Sequence, residues 1–149
     1  MVQAHEIRHA SLVALRVGEF WRGALIEGPS GSGKSDLALR CLAAGFSLVA
    51  DDRVVVFAHA NALWGHAPRS LSGLIEARGA GILTVTPLDL SRISLCVELV
   101  TTPDGVERLP DRGSKDCLGL AVPVARLWPF ETIAPAKLAA MLRRGNAPP

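Results

Sequence analysis

"GPSGSGKSD", residues 28–36, is the stretch from which the rest of the chain is read. It satisfies G-x-x-x-x-G-K-[ST], the pattern of a loop that wraps phosphates. Here that loop is Gly28, Pro29, Ser30, Gly31, Ser32, Gly33, Lys34 and Ser35. Its glycines let backbone N–H groups converge on phosphate oxygens, and a following helix turns its N-terminus toward the negative charge. Lys34 would reach the terminal phosphates, and the Ser35 hydroxyl can ligate Mg²⁺. A Gly/Ser-rich turn can match such a pattern by chance, so the flanks matter. "GALIEG" (23–28) is a short apolar run between glycines, as expected of a buried strand feeding a loop. After Lys34, the residues Leu37, Ala38, Cys41 and Leu42 recur at helical spacing, and Gly45 stands where a C-cap glycine belongs. Strand, loop and helix follow in the required order, which favours nucleotide or phosphate binding over chance.

The acids downstream are more informative about chemistry. "FSLVADDRVVVF" (46–57) reads as a strand, two acids and a second apolar run. A parallel crossover from the loop's strand would bring Asp51 and Asp52 close to the phosphates. A carboxylate there can hold Mg²⁺ or accept the proton of an attacking hydroxyl. The competing reading is a solvated turn. Adjacent residues on a strand point to opposite faces, so the two acids are not expected to share one job. Glu76 lies in "LIEARGAG" (74–81), where Gly79 and Gly81 permit close backbone approach, although an exposed charge pair is equally consistent. His9 opens the strand "HASLVALRV" (9–17), where a lone histidine is more often structural. Arg108 follows the Asp104-Gly105 turn, and it either reaches a phosphate or pairs with Asp111.

Size and composition set bounds. The 149 residues predict one domain, 1–149, and the 49% apolar share predicts a packed core. A net charge of +2 with scattered basic residues gives no reason for a nucleic-acid or membrane partner. No apolar run is long enough to span a bilayer. The three cysteines lack metal or disulfide spacing, and "MVQAHEIRHA" (1–10) lacks a signal-peptide core, so a cytoplasmic protein with reduced thiols is expected. "HANALWGHAPRSLSGLIEARGAG" (59–81) is rich in Gly, Pro and Ser, with a short helix-like or extended patch near 70–77. "ILTVTPL" and "RISLCVELV" read as strands, and Asp104-Gly105 as a hairpin turn folding the chain back. "GLAVPVARLW" reads as a further strand and "APAKLAAMLRRG" as a closing helix.

Together, "GPSGSGKSDLALRCLAAGFSLVADDRV" and "LIEARGAGI" resemble the catalytic domain of HPr kinase/phosphorylase, and "GHAP" (65–68) fits as well. The spacing agrees across roughly residues 9–110. The resemblance implies an α/β fold related to phosphoenolpyruvate carboxykinase, a P-loop domain with a mixed sheet and few helices. It implies phosphate transfer from ATP to a serine of the phosphocarrier protein HPr, with the reverse phosphorolysis by inorganic phosphate giving pyrophosphate. Carried over, Lys34 sits on the transferred phosphate, and Ser35 and Glu76 bind Mg²⁺. Asp51 is the base, His9 assists it, Arg108 is a catalytic arginine and Asp52 lies near the metal. The family's N-terminal domain is not expected in this short form, and a homo-oligomer, hexameric in the family, is implied. After Val122 the pattern departs: "PVARLWPFETIAPAKL" keeps prolines and Arg126 but lacks the Val-Gly-Arg-Asn-like end linked to the reverse reaction. Kinase activity is therefore the first expectation. A P-loop kinase of a small hydroxylated molecule and a non-catalytic nucleotide sensor for HPr-like partners are the alternatives.

Overall fold

Residues 10–15, apolar except for Ser11, are all buried, because the strand they form is covered on both faces. The computed structural model describes residues 4–106 and 113–145. It opens with strands β1 (His5–Arg8), β2 (Ala10–Val17) and β3 (Phe20–Glu27), followed by helix α1 (Lys34–Ala43). Then come β4 (Ser47–Ala50), β5 (Val54–His59), β6 (Ala62–His66), β7 (Leu74–Ala77), β8 (Gly81–Thr84) and β9 (Ser91–Leu99). β10 (Gly113–Cys117), β11 (Leu120–Leu127) and helix α2 (Ala134–Arg144) complete the described elements. Nine strands make a mixed sheet along the path β1-β5-β6-β9-β3-β2-β4, with β11 joined to β9 and β10 to β11, while β7 and β8 pair separately.

Alternation along β2 divides the core. Val13 and Leu15 pack with Leu37, Ala38 and Cys41 of α1 and Leu138 and Leu142 of α2. Leu12 and Ala14 pack on the other face with Val49, Val54, Val56 and Ile93. Each fully buried Leu or Ile contributes about 1.5–3 kcal/mol relative to exposure. α1 ends as its sequence predicts. Gly45 takes φ +100° and donates to Leu42, while Phe46 donates to Cys41, closing the last turn.

Three strands meet at one end of the sheet. β3 and β4 each run antiparallel to β2, so they are parallel to one another with β2 between them. The expected convergence of the β4 acids with the loop after β3 is therefore real, but the two strands are not neighbours. The pairs Ala10↔Glu27 and Leu12↔Ala50 also bring the start of β2, and with it His9, to that same end.

Two local expectations are corrected. Asp104-Gly105 does not make a hairpin back onto β9; it lies in a short 3-10 turn, Pro103–Gly105. β9 is already engaged by β3 and β11, both parallel to it, so the strand that follows has no place beside it. The hairpin is β10–β11, with Leu118 and Gly119 at its tip at φ +51° and +84°. The 59–81 segment also contains a strand that its composition did not signal, β6, whose Trp64 and Gly65 pair with β9, while the expected patch near 70–77 is a 3-10 turn at Arg69–Leu71 followed by β7.

Gly23 shows how closely β3 and β9 approach. A Cβ there would fall 2.5 Å from the Arg92 carbonyl oxygen, a backbone atom that cannot swing aside. Gly23→Ala is expected to destabilise the fold by about 1–3 kcal/mol. Thermal unfolding would read this as a melting temperature several degrees lower, and an unchanged temperature would mean that the strands separate freely.

Candidate active site

The phosphate loop is organised around Lys34. Its side chain is nearly buried, and its ammonium donates to the carbonyls of Gly28 at 2.8 Å and Pro29 at 3.0 Å. Ser32 N–H closes the turn on the Pro29 carbonyl at 3.0 Å. Gly33, the residue before α1, is left-handed at φ +101°, and no side chain caps the helix. The first-turn N–H groups are thus left to a ligand, as anion binding requires.

A pocket of about 430 Å³ opens over this loop. Ser30, Gly31, Gly33, Lys34 and Ser35 line it from the loop, whereas Gly28, Pro29 and Ser32 do not. Glu76 reaches it from β7, His9, Asp52 and Arg78 from just beyond the ends of β2, β4 and β7, and Asp36 and Phe130 complete the lining. Arg108 falls outside the described residues.

The two acids part company, and the burial of each shows why. Asp51 is only 4% exposed. Its Oδ1 accepts from Ser11 Oγ at 2.7 Å and from Ser35 Oγ at 2.8 Å, and its Oδ2 accepts from the Glu76 N–H at 3.2 Å. It does not line the pocket. Asp52, at φ +70°, is swung outward, and its Oδ1 lies 3.0 Å from His9 Nε2. Arg53 Nη1 is 3.7 Å from its other oxygen. The histidine expected to assist Asp51 therefore contacts Asp52, which differs from the sequence reading. The cause is local: Ser11 faces α1 in line with Val13 and claims Asp51, while the left-handed turn sends Asp52 the other way.

Ser35 Oγ lies 2.8 Å from the Asp51 carboxylate, which also accepts from the Glu76 backbone N–H, and Ser35 and Glu76 both line the pocket. Among the described residues no group of three His, Cys, Asp or Glu side chains could hold a metal alone. An ion network braces the base of the loop. Glu27, the residue before Gly28, accepts from Arg8 Nη2 at 2.6 Å and from Lys115 Nζ at 2.6 Å. Burial alone would lower the Arg8 pKa, but hydrogen bonds to Glu6 and Glu27 and the Glu27 charge outweigh it and raise it. The next residue after Arg8 is His9, so this network ties the imidazole's strand to the loop. Burial pushes the thiols of Cys41 and Cys96 up to about 12, which leaves them protonated and without a nucleophilic role.

The residues missed from sequence are Ser11, Asp36, Arg78 and Phe130. Ser11 had a signal, as the one polar residue in an apolar run. Arg78 stands beside Glu76 in a noted segment, and Phe130 carried no local signal.

The model of the HPr Serine kinase C-terminal domain matches residues 3–128. The HPr kinase/phosphorylase of Limosilactobacillus reuteri (strain DSM 20016) is 45% identical over 112 residues, 68% of this chain and 35% of that protein. That of Bordetella avium (strain 197N) is 42% identical over 111 residues, 67% of this chain and 36% of that protein. The chain spans about a third of the length of these curated relatives. The structure of the Hpr(Ser) kinase/phosphatase from Coxiella burnetii is similar with a TM-score of 0.76 at 26% identity, covering 93% of this chain and 88% of that one. The mixed sheet with few helices is thus a fold this chain shares with that structure. Among the described residues, no helix is long and apolar enough to cross a membrane. With a domain model that matches residues 3–128, relatives 42–45% identical to it and a shared fold, the chain belongs to the HPr serine kinase C-terminal domain family.

Proposed function

We propose that this domain transfers the γ-phosphoryl group of ATP to a seryl hydroxyl of an HPr-type phosphocarrier protein. The observation that carries the reading is the His9–Asp52 pair, facing the same pocket as Lys34 and the helix N-terminus. The loop N–H groups and Lys34 hold the phosphate chain and offset the charge that spreads over the transferred group. Asp52 accepts the seryl proton as the hydroxyl oxygen attacks the γ-phosphorus, and the bond to the β,γ-bridging oxygen breaks to release ADP. His9 orients the Asp52 carboxylate. The base role expected of Asp51 passes to Asp52 because Asp51 is enclosed by Ser11, Ser35 and the Glu76 N–H. A reverse step would run through the same pair: an oxygen of inorganic phosphate attacks the phosphorus of seryl phosphate, the bond to the seryl oxygen breaks as Asp52 returns the proton to that oxygen, and pyrophosphate is the product.

Mg²⁺ fits the donor set. This ion favours oxygen ligands and is commonly held by one or two carboxylates together with substrate phosphates, so it needs no all-protein cage. Ser35 and Glu76, which line the pocket, would hold it, with Asp51 orienting the Ser35 hydroxyl, and when bound it would supply positive charge to the phosphate oxygens. Ser35→Ala is expected to weaken binding of Mg²⁺-nucleotide by on the order of tenfold, and metal-free nucleotide much less. Calorimetric titration with and without the metal checks this, and equal losses would remove Ser35 from the metal site.

Labelled ATP, Mg²⁺ and purified HPr, assayed in both directions, test the activity. Label on a seryl side chain supports the proposal. Label on a small molecule would instead point to a metabolite kinase, and binding without transfer to a nucleotide sensor.

A further inference from the structure

The segment Trp128–Glu131 joins β11 to α2, and the proposed chemistry leaves it unused. Phe130 is 56% exposed, and among the described residues it is the one large apolar residue lining a pocket of hydroxyls, amides and charges. The ring lies against the loop: a Cβ on Gly33 would sit 3.0 Å from Phe130 Cζ and 3.3 Å from Pro129 Cγ. Trp128 supports it edge-on, with centroids 6.2 Å apart and planes at 77°. The backbone around it is pinned to α1, because Arg40 donates to the Pro129 carbonyl and, at 3.3 Å, to the Glu131 carbonyl. Lys137 of α2 pairs with Glu131. A ring held this firmly and left half in water is built to receive something flat.

Sheet order says which end of a bound molecule that would be. The order β11-β9-β3-β2-β4 places the loop's strand β3 between the two sides. His9 and Asp52 come from β2 and β4 on one side. Phe130 follows the end of β11, which runs parallel to β9 and β3 and so ends at the loop's edge of the sheet, on the other side. A phosphate chain whose terminal group faces Asp52 therefore extends across the loop toward Phe130. We infer that Phe130 is the stacking wall for the nucleobase of the phosphate donor, and that it makes the site favour a nucleoside triphosphate over a bare polyphosphate. This rests on the reading of the loop as the donor's phosphate site.

Calorimetric titration of the native chain and Phe130→Ala with Mg²⁺-ATP and with Mg²⁺-pyrophosphate tests it. The ring is exposed, so the variant is expected to keep its fold. Loss of a base–aromatic stack should weaken ATP by about tenfold, leave pyrophosphate within about twofold, and be reversed in Phe130→Trp. Equal losses for both ligands, no loss for either, or tighter ATP binding in Phe130→Ala would overturn the inference, the last by making the ring an obstruction. Failure of the native chain to bind either ligand would instead remove the phosphate-site reading, and this inference with it.

Discussion

Asp52→Asn lowers the rate of phosphoryl transfer by about 10²–10⁴-fold, the usual worth of a positioned general base. The side chain is exposed and its partners are His9 and Arg53, so the change removes the proton acceptor without opening the core. An amide can still accept a hydrogen bond from His9 but cannot take a proton. Nucleotide affinity should stay within about twofold, which separates a lost transition-state interaction from lost binding. Asp51→Asn makes the instructive contrast. That carboxylate is buried among two hydroxyl donors and a backbone N–H, so its loss should appear as lower stability and weaker Mg²⁺ dependence. Measuring transfer, binding and thermal unfolding on both variants decides between the acids. If a folded Asp51→Asn protein lost transfer while Asp52→Asn kept it, the base would be Asp51.

Lys34→Met weakens nucleotide binding by about ten- to a hundredfold, from loss of a charge-assisted contact to phosphate. Methionine keeps helix propensity and similar volume, which isolates the charge. Two effects combine. The phosphates lose their cation, and the Gly28 and Pro29 carbonyls lose the donor that holds the loop in shape. Pyrophosphate binding should fall along with ATP binding, unlike the selective loss expected of Phe130→Ala. A variant that bound both ligands normally would show that the backbone N–H groups alone hold the phosphates.

Much of the local structure was legible because its causes are local. The period change after Lys34 and the glycine at 45 describe α1 and its closing turn without help from the rest of the chain. The alternation of Leu95, Val97 and Leu99 likewise marks β9, since those side chains are buried in the core beneath the helices, whereas Ile93, across a register shift, packs on the opposite face. β6 was hidden because Gly65 and His66 interrupt its apolar run; only its neighbours β5 and β9 make it a strand. Asp104-Gly105 carried the composition of a hairpin, but turn chemistry cannot act when the preceding strand's places are already taken.

The sequence by itself determined the phosphate loop, the helix behind it, the pair of acids and the family to which they belong, because these lie in contiguous runs whose spacing is their chemistry. The tertiary structure alone decided which acid faces the pocket. That choice depends on Ser11, forty residues from Asp51, and on the left-handed backbone of Asp52. It also decided that an aromatic ring from beyond β11 closes the site against Gly33. Contacts of that kind follow from strand order, which no local pattern encodes.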